Sequence, residues 1–341
     1  MRFPVIGAPH LPSTRTVGGV MRQVLYALVP GIAAHVWFFG YGILFQIALA
    51  VVFALALEAI MLKARQRPLQ PFLSDYSAVV TAVLFALCVP PLAPWWIAFT
   101  GMLFAIVVAK HLYGGLGYNL FNPTMVGFAA VIVAFPLELS QWLAPRQLSP
   151  GLPGLRETAT AIFTGTLPGT ASWDALTQAT PLDALKTGVA ENRLVSEIRS
   201  SAIFGDFGGL GWEWIANFYA LGGLWLVWQR VISWHVPVAT LATVILVSTP
   251  MWLAGPDTNP SPLQHVFSGA LVLGAFFIAT DPVSGASTMR GRLVFGAGVA
   301  ILTLAIRRFG GYPDGVAFAV LLMNMAVPLI DRMTRPRAYG H

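Results

Sequence analysis

Runs of apolar residues close to bilayer-crossing length recur along this 341-residue chain, and they constrain its fold more than any other feature. A hydrocarbon layer about 30 Å thick takes roughly 20 helical residues to span. Ten such spans are read, near Val24–Gly40, Ile43–Leu62, Tyr76–Val89, Trp95–Val108, Pro123–Leu143, Trp214–Val231, Val236–Ala254, His265–Ala279, Leu293–Ile306 and Val316–Ile330. Hydrophobic residues make up 56% of the chain and charged residues only 10%, with a mean hydropathy of +0.71. A soluble domain carries about 25% charge, so this chain has too little to cover a water-facing surface. Its 11 tryptophans suit anchoring at the two membrane interfaces. The expectation is an all-α polytopic membrane protein.

One polar segment interrupts the pattern. From about Ser140 to Leu210 the chain is rich in Gly, Pro, Ser and Thr, with Thr177-Gln178-Ala179-Thr180-Pro181-Leu182-Asp183 at its centre. The boundaries read as an N-terminal segment 1–22, a first five-helix half 23–143, a loop 144–211, a second five-helix half 212–331 and a tail 332–341. Residues Met1 to Met21 carry Arg2, Arg15 and three prolines without the apolar core of a cleavable signal. With the N-terminus inside, 13 of the 20 Lys and Arg fall on cytoplasmic positions, and five of the other seven lie in the long loop. Long loops escape the positive-inside rule, so both termini are expected in the cytoplasm and the loop outside. The net charge of +6 is scattered among connections and implies no nucleic-acid partner. The bilayer is the expected partner.

Five spans on each side of the loop would set two similar halves upside down relative to each other. A faint echo supports this. Val89-Pro90-Pro91 precedes Tyr113-Gly114-Gly115-Leu116-Gly117-Tyr118, and Thr280-Asp281-Pro282 precedes Phe309-Gly310-Gly311-Tyr312-Pro313-Asp314 at similar distance, each leading into a span. The first of these turns runs on to Asn119-Leu120-Phe121-Asn122-Pro123. Asn122 before Pro123 suits a helix cap. Asn119 and Asn122, three apart, could also offer two carboxamides to a planar heterocycle. Capping is the stronger reading of Asn122 from the residues alone. No strand precedes the glycines, so this is not a dinucleotide fingerprint.

Few ionisable residues sit near or within spans, where function is a default hypothesis. Glu58 lies about a turn from Lys63 and reads as a local pair or an ion-pathway residue. Asp75 and Asp281 read as caps or turn formers. Lys110-His111 reads as an anchor at the cytoplasmic membrane edge, and His265 has no second histidine to suggest a metal site. Cys88 is the only cysteine and reads as an inert core position. One thiol cannot hold an iron–sulfur cluster and offers no c-type haem attachment. Histidine ligation of a b-type haem stays open, although no pair of midspan histidines supports it, and an electron carrier is otherwise expected to be organic or borrowed.

Six segments in order bring a resemblance. They are Leu28-Val29-Pro30-Gly31-Ile32-Ala33-Ala34, Val89-Pro90-Pro91-Leu92-Ala93-Pro94-Trp95-Trp96, Ala109-Lys110-His111-Leu112-Tyr113-Gly114-Gly115-Leu116-Gly117, Thr177-Gln178-Ala179-Thr180-Pro181-Leu182-Asp183, Ala275-Phe276-Phe277-Ile278-Ala279-Thr280-Asp281-Pro282 and Phe309-Gly310-Gly311-Tyr312-Pro313-Asp314-Gly315-Val316-Ala317-Phe318. Essentially end to end, the chain resembles the NqrB/RnfD family, membrane subunits of Rnf/Rsx ion-translocating electron-transport complexes and of the sodium-translocating NADH:quinone reductase. The resemblance implies a urea-channel-like scaffold of two inverted five-helix halves in a bacterial inner membrane, with a periplasmic loop. It implies FMN held on Thr180 by a phosphoester bond, installed from FAD by a separate flavin transferase. Gln178 departs from the glycine of the quinone reductase subunit and agrees with the Rnf form. It also implies riboflavin beside Asn119 and Asn122. The chain would carry electrons in NADH/ferredoxin oxidoreduction coupled to sodium ions or protons. It would have no complete active site of its own, and NADH and iron–sulfur clusters would sit on Rnf subunits A, B, C, E and G. A channel or secondary transporter for a small solute, or a purely structural assembly subunit, are the alternatives.

Overall fold

The computed structural model describes residues 16–149, 151–167 and 173–335. Of the terminal segments expected at 1–22 and 332–341, residues 1–15 and 336–341 lie outside the described residues. Among those described there is no strand, only two isolated bridges, Leu143 with Thr177 and Phe204 with Gly209. The first half holds α1 (Val17–Phe39), α2 (Gly42–Ala64), the short α3 (Leu69–Leu73), α4 (Ser77–Ala86), α5 (Trp95–Met102) running into a π-helix π1 (Leu103–His111), and α6 (Pro123–Ala134). The loop holds α7 (Pro136–Ser140), α8 (Leu155–Thr164), α9 (Trp173–Leu176), α10 (Pro181–Ala190) and α11 (Val195–Arg199). The second half holds α12 (Trp212–Trp228), α13 (His235–Ala254), α14 (Pro262–Phe267), α15 (Leu271–Leu273) continued by a π-helix π2 (Gly274–Ile278), α16 (Met289–Phe309) and α17 (Val316–Thr334). Among the described residues, six stretches are long and apolar enough to cross a membrane: α1, α2, the α3–α4 stretch Leu69–Ala86, α13, α16 and α17. The chain is an all-α polytopic membrane protein.

Several segments depart from the expected spans, for local reasons. The fifth span was expected to run to Leu143, yet α6 stops at Ala134, where Pro136 disfavours helical backbone at Phe135. The third starts only after Tyr76 turns left-handed at φ 61°, and the Asp75 carboxylate accepts from the Ser77 amide at 2.7 Å and its hydroxyl at 2.6 Å. The eighth breaks at Gly269 (φ 68°), where the Asp314 carboxylate accepts from the Ala270 amide at 2.7 Å. Each half therefore carries one broken helix whose inner start is held by an aspartate.

The packing repeats between halves. α1 lies on its counterpart α12, and α6 on its counterpart α17. The α5–π1 segment packs on α2 and α6 as α16 packs on α13 and α17. Small residues allow the central contact. A Cβ on Gly31 would drive into the Tyr219 ring, and one on Gly222 into the Ala27 carbonyl oxygen. The loop is tied to the end of α1 by the Arg146 amide, which donates to the Phe38 carbonyl at 2.8 Å.

Candidate functional site

Thr180 caps α10. Its backbone is extended, its hydroxyl oxygen accepts from the Asp183 amide at 3.2 Å, and Pro181 occupies the first helical position, where no amide is needed. The run ahead of it is pinned. The Gln178 amide donates to the Trp142 carbonyl at 2.8 Å, and the Thr177 hydroxyl donates to the Trp173 carbonyl, also at 2.8 Å. The two threonines thus differ. Thr177 has spent its proton on the backbone, whereas the Thr180 hydroxyl donates to nothing among the described residues.

Thr180 stands at the edge of a cavity in the bundle on the loop side. Its wall is mainly aromatic and aliphatic, including Trp142, Trp212 and Phe128, with Asp314 and Cys88 among the polar exceptions. Two polar groups in that wall lack partners: both ring nitrogens of His35 and the hydroxyl of Tyr219 are buried without a hydrogen bond. Such groups cost about 1–3 kcal/mol each when left unpaired.

A second cavity lies on the face where α1 begins and α17 ends. Asn119 and Asn122 both line it, with Thr81, Lys110, Thr280 and Asp281. Asn122 is the cap of α6: its side-chain oxygen accepts from the Met125 amide at 3.2 Å and its nitrogen donates to the Ile278 carbonyl at 3.1 Å. Capping therefore holds for Asn122, whose amide also ties α6 to π2 of the other half. The Asn119 nitrogen donates to the Phe121 carbonyl at 3.1 Å, and the amide lies beside the Asp281 carboxylate. The linings of the two cavities nearly meet. Leu87, Met125 and Ile278 face the first, and Leu84, Thr124 and Phe277 face the second. Thr180 and the two asparagines are thus kept apart, at opposite ends of one interior axis.

The sequence model of the NQR2, RnfD, RnfE family matches residues 5–340. The chain is 49% identical over 345 residues to the D subunit of an ion-translocating oxidoreductase complex from Aeromonas salmonicida (strain A449), covering 99% of each. It is 47% identical over 348 residues to the corresponding protein of Aliivibrio salmonicida (strain LFI1238), and 48% over 349 residues to that of Escherichia fergusonii, each covering 100% of this chain and 99% of the relative. The chain belongs to the NQR2, RnfD, RnfE family.

In this family member the structure corrects two local readings. Glu58 does not pair with Lys63, and Lys110-His111 is not an exposed membrane-edge anchor. The Lys110 ammonium donates to both Glu58 oxygens at 2.8 Å and to the Ser77 hydroxyl at 2.9 Å, with the pair's side chains 3% and 1% exposed. His111 Nε2 is 3.3 Å from Glu58 on the other side. The reason is the π1 register, which turns both residues inward at the end of the segment. Asp75 and Asp281 are turn formers as read, Asp281 accepting from the Ser284 amide at 3.2 Å and hydroxyl at 2.6 Å. His35 and Tyr219 in the first cavity had no distinguishing sequence signal, each being a lone polar residue in an apolar run.

Proposed function

We propose that this chain is the flavin-bearing membrane subunit of an Rnf-type ion-translocating oxidoreductase complex, carrying electrons between the two membrane faces. The observation that carries the reading is the Thr180 hydroxyl, with an uncommitted proton, at the edge of a deep aromatic cavity. In it, FMN is joined through its phosphate to Thr180 Oγ1, and a second flavin, riboflavin, sits beside Asn119 and Asn122. A flavin supplies a carrier that takes and passes electrons without metal ligands, and among the described residues no cluster suited to a metal ion is found.

The residues present fit such a group. The aromatic wall formed by Trp142, Trp212 and Phe128 suits a planar ring system. His35 and Tyr219 offer unpaired polar atoms to the edge of a heterocycle. The amide of Asp183 at the start of α10 already donates toward the Thr180 oxygen, and helix starts favour phosphate. In the second cavity Asn119, Asn122, Thr280 and Asp281 supply polar contacts, with Thr81 and Lys110, beside apolar side chains such as Leu84 and Phe277. Met125 and Ile278 on the first cavity and Thr124 and Phe277 on the second stand between the two sites. NADH and iron–sulfur chemistry fall to Rnf subunits A, B, C, E and G, the flavin is installed by a flavin transferase, and transport is of sodium ions or protons. The membrane is the bacterial inner membrane, with the loop periplasmic and the termini cytoplasmic.

The test is in-gel flavin fluorescence of the denatured chain co-expressed with its flavin transferase. Fluorescence should persist in the native and Thr177→Val chains and vanish in Thr180→Val. A native chain without covalent flavin would overturn the Thr180 assignment and favour a solute channel through the same two cavities. A second flavin released by acid from the native chain, and lost in Asn119→Leu, tests the other site.

A further inference from the structure

A third cavity opens on the loop side between α10, α13, α14 and α16. Its charged lining residues are Lys186, Arg307 and Arg308, and no aspartate or glutamate lines it. Arg307 is satisfied internally. Its guanidinium donates to the Asp314 carboxylate at 3.1 Å and to the His265 and Ser268 carbonyls at 2.6 and 2.9 Å. The other two cations are not. Arg308 donates only to the Asn259 side-chain oxygen, and Lys186 to the carbonyls of Gly310 and Tyr312. Among the described residues neither forms an ion pair. Burial pulls the Lys186 ammonium below the usual lysine range, only partly opposed by Asp183, as expected of a cation short of a counter-charge.

Two further groups face the same space unpaired. The side-chain oxygen of Gln264, a residue 0% exposed, and Nδ1 of His265 are buried without partners. The opposite wall is aliphatic, and its rim carries Phe309 at 81% and Val189 at 39% exposure. The cavity lies against the loop-side ends of α13 and α16, both long and apolar enough to cross a membrane. A cationic floor, unpaired polar atoms and an apolar rim at a bilayer edge complement an amphiphile with an anionic, hydrogen-bonding head.

We propose that this cavity binds an anionic phospholipid, its phosphate on Lys186 and Arg308 and its chains along the Phe309 rim. Hydroxyls of a glycerol headgroup supply the donors that the Gln264 oxygen lacks. α10 furnishes Leu182, Leu185, Lys186 and Val189 to the same cavity, so the lipid clamps to the bundle the helix that Thr180 caps. This holds whatever Thr180 carries.

The test is thermal unfolding of the full-length chain, delipidated in neutral detergent and titrated separately with phosphatidylglycerol, phosphatidylcholine and inorganic phosphate. Phosphatidylglycerol should raise Tm by several degrees at concentrations where the other two do not. Lys186→Gln with Arg308→Gln should weaken that response at least tenfold, and Arg308→Lys should retain most of it. Equal responses to the two lipids, or an unchanged response in the double variant, would overturn the site. Inorganic phosphate acting as well as the lipid would overturn the phospholipid assignment. Should the double variant fail to fold, mass spectrometry of lipid retained by the native chain decides: enrichment of phosphatidylglycerol over its bulk share supports the site and none rejects it.

Discussion

At the scale of single residues, Glu58 and Lys110 make the sharpest demand on the fold. Each is a charge removed from water, and each is tolerable only because the other is there. Lys110→Met leaves the Glu58 carboxylate buried beside His111 alone, and Glu58→Met strands the ammonium. Each single change should cost about 3–5 kcal/mol, while the double change to methionine should return close to native stability, since an apolar pair of similar volume often replaces a buried ion pair at no loss. Unfolding of the four chains in detergent gives the coupling directly. Two equally destabilising singles whose double is additive would reject the pairing. This partnership was not legible in the sequence, because 52 residues separate the two side chains and the nearer Lys63 offered a local partner. Asn122 was legible because a cap is decided by the residues beside it. Thr180 was legible only through its resemblance to a family motif; by itself it is one loop hydroxyl among many.

At the scale of elements, the long helices were readable from apolar length, and the broken ones were not. Their ends depend on Asp75 and Asp314 reaching amides at helix starts, and for Asp314 the amide is 44 residues away. The small loop helices have no membrane-length signal at all. Helix pairing depends on small residues at particular points of contact. Gly222 meets the backbone of α1, where the carbonyl of Ala27 cannot turn aside without breaking its helix. Gly222→Ala should therefore force α12 from α1 and destabilise by about 1–3 kcal/mol, the usual cost of overpacking. Gly311 is the control. A Cβ there meets nothing within 4 Å, so Gly311→Ala should stay within about 0.5 kcal/mol of native. Thermal unfolding of both variants checks this, and equal losses would reject the close-contact account.

At the scale of the whole molecule, the two halves place similar devices at opposite faces. Lys110 near the end of π1 holds Ser77, the first residue of α4; Arg307 near the end of α16 holds Ser268 ahead of α15. The repeat was visible in the sequence as Gly-Gly turns and prolines at matching places, but its physical content, a buried cation bracing each broken helix, was not. Between these braces the two interior cavities approach without joining. A carrier chain needs that closure, because electrons cross a short side-chain barrier that solutes cannot, whereas a channel needs the opposite. Single cysteines in a Cys88→Ala background separate the two. Ala179→Cys, exposed beside Thr180, should react with a membrane-impermeant maleimide only from the loop face. Thr280→Cys, lining the second cavity, should react only from the face where α1 begins and α17 ends, as compared in right-side-out and inside-out vesicles. Modification of Thr280→Cys from the loop face would mean a continuous aqueous path past Met125 and Ile278, and the carrier reading would then give way to a conducting one.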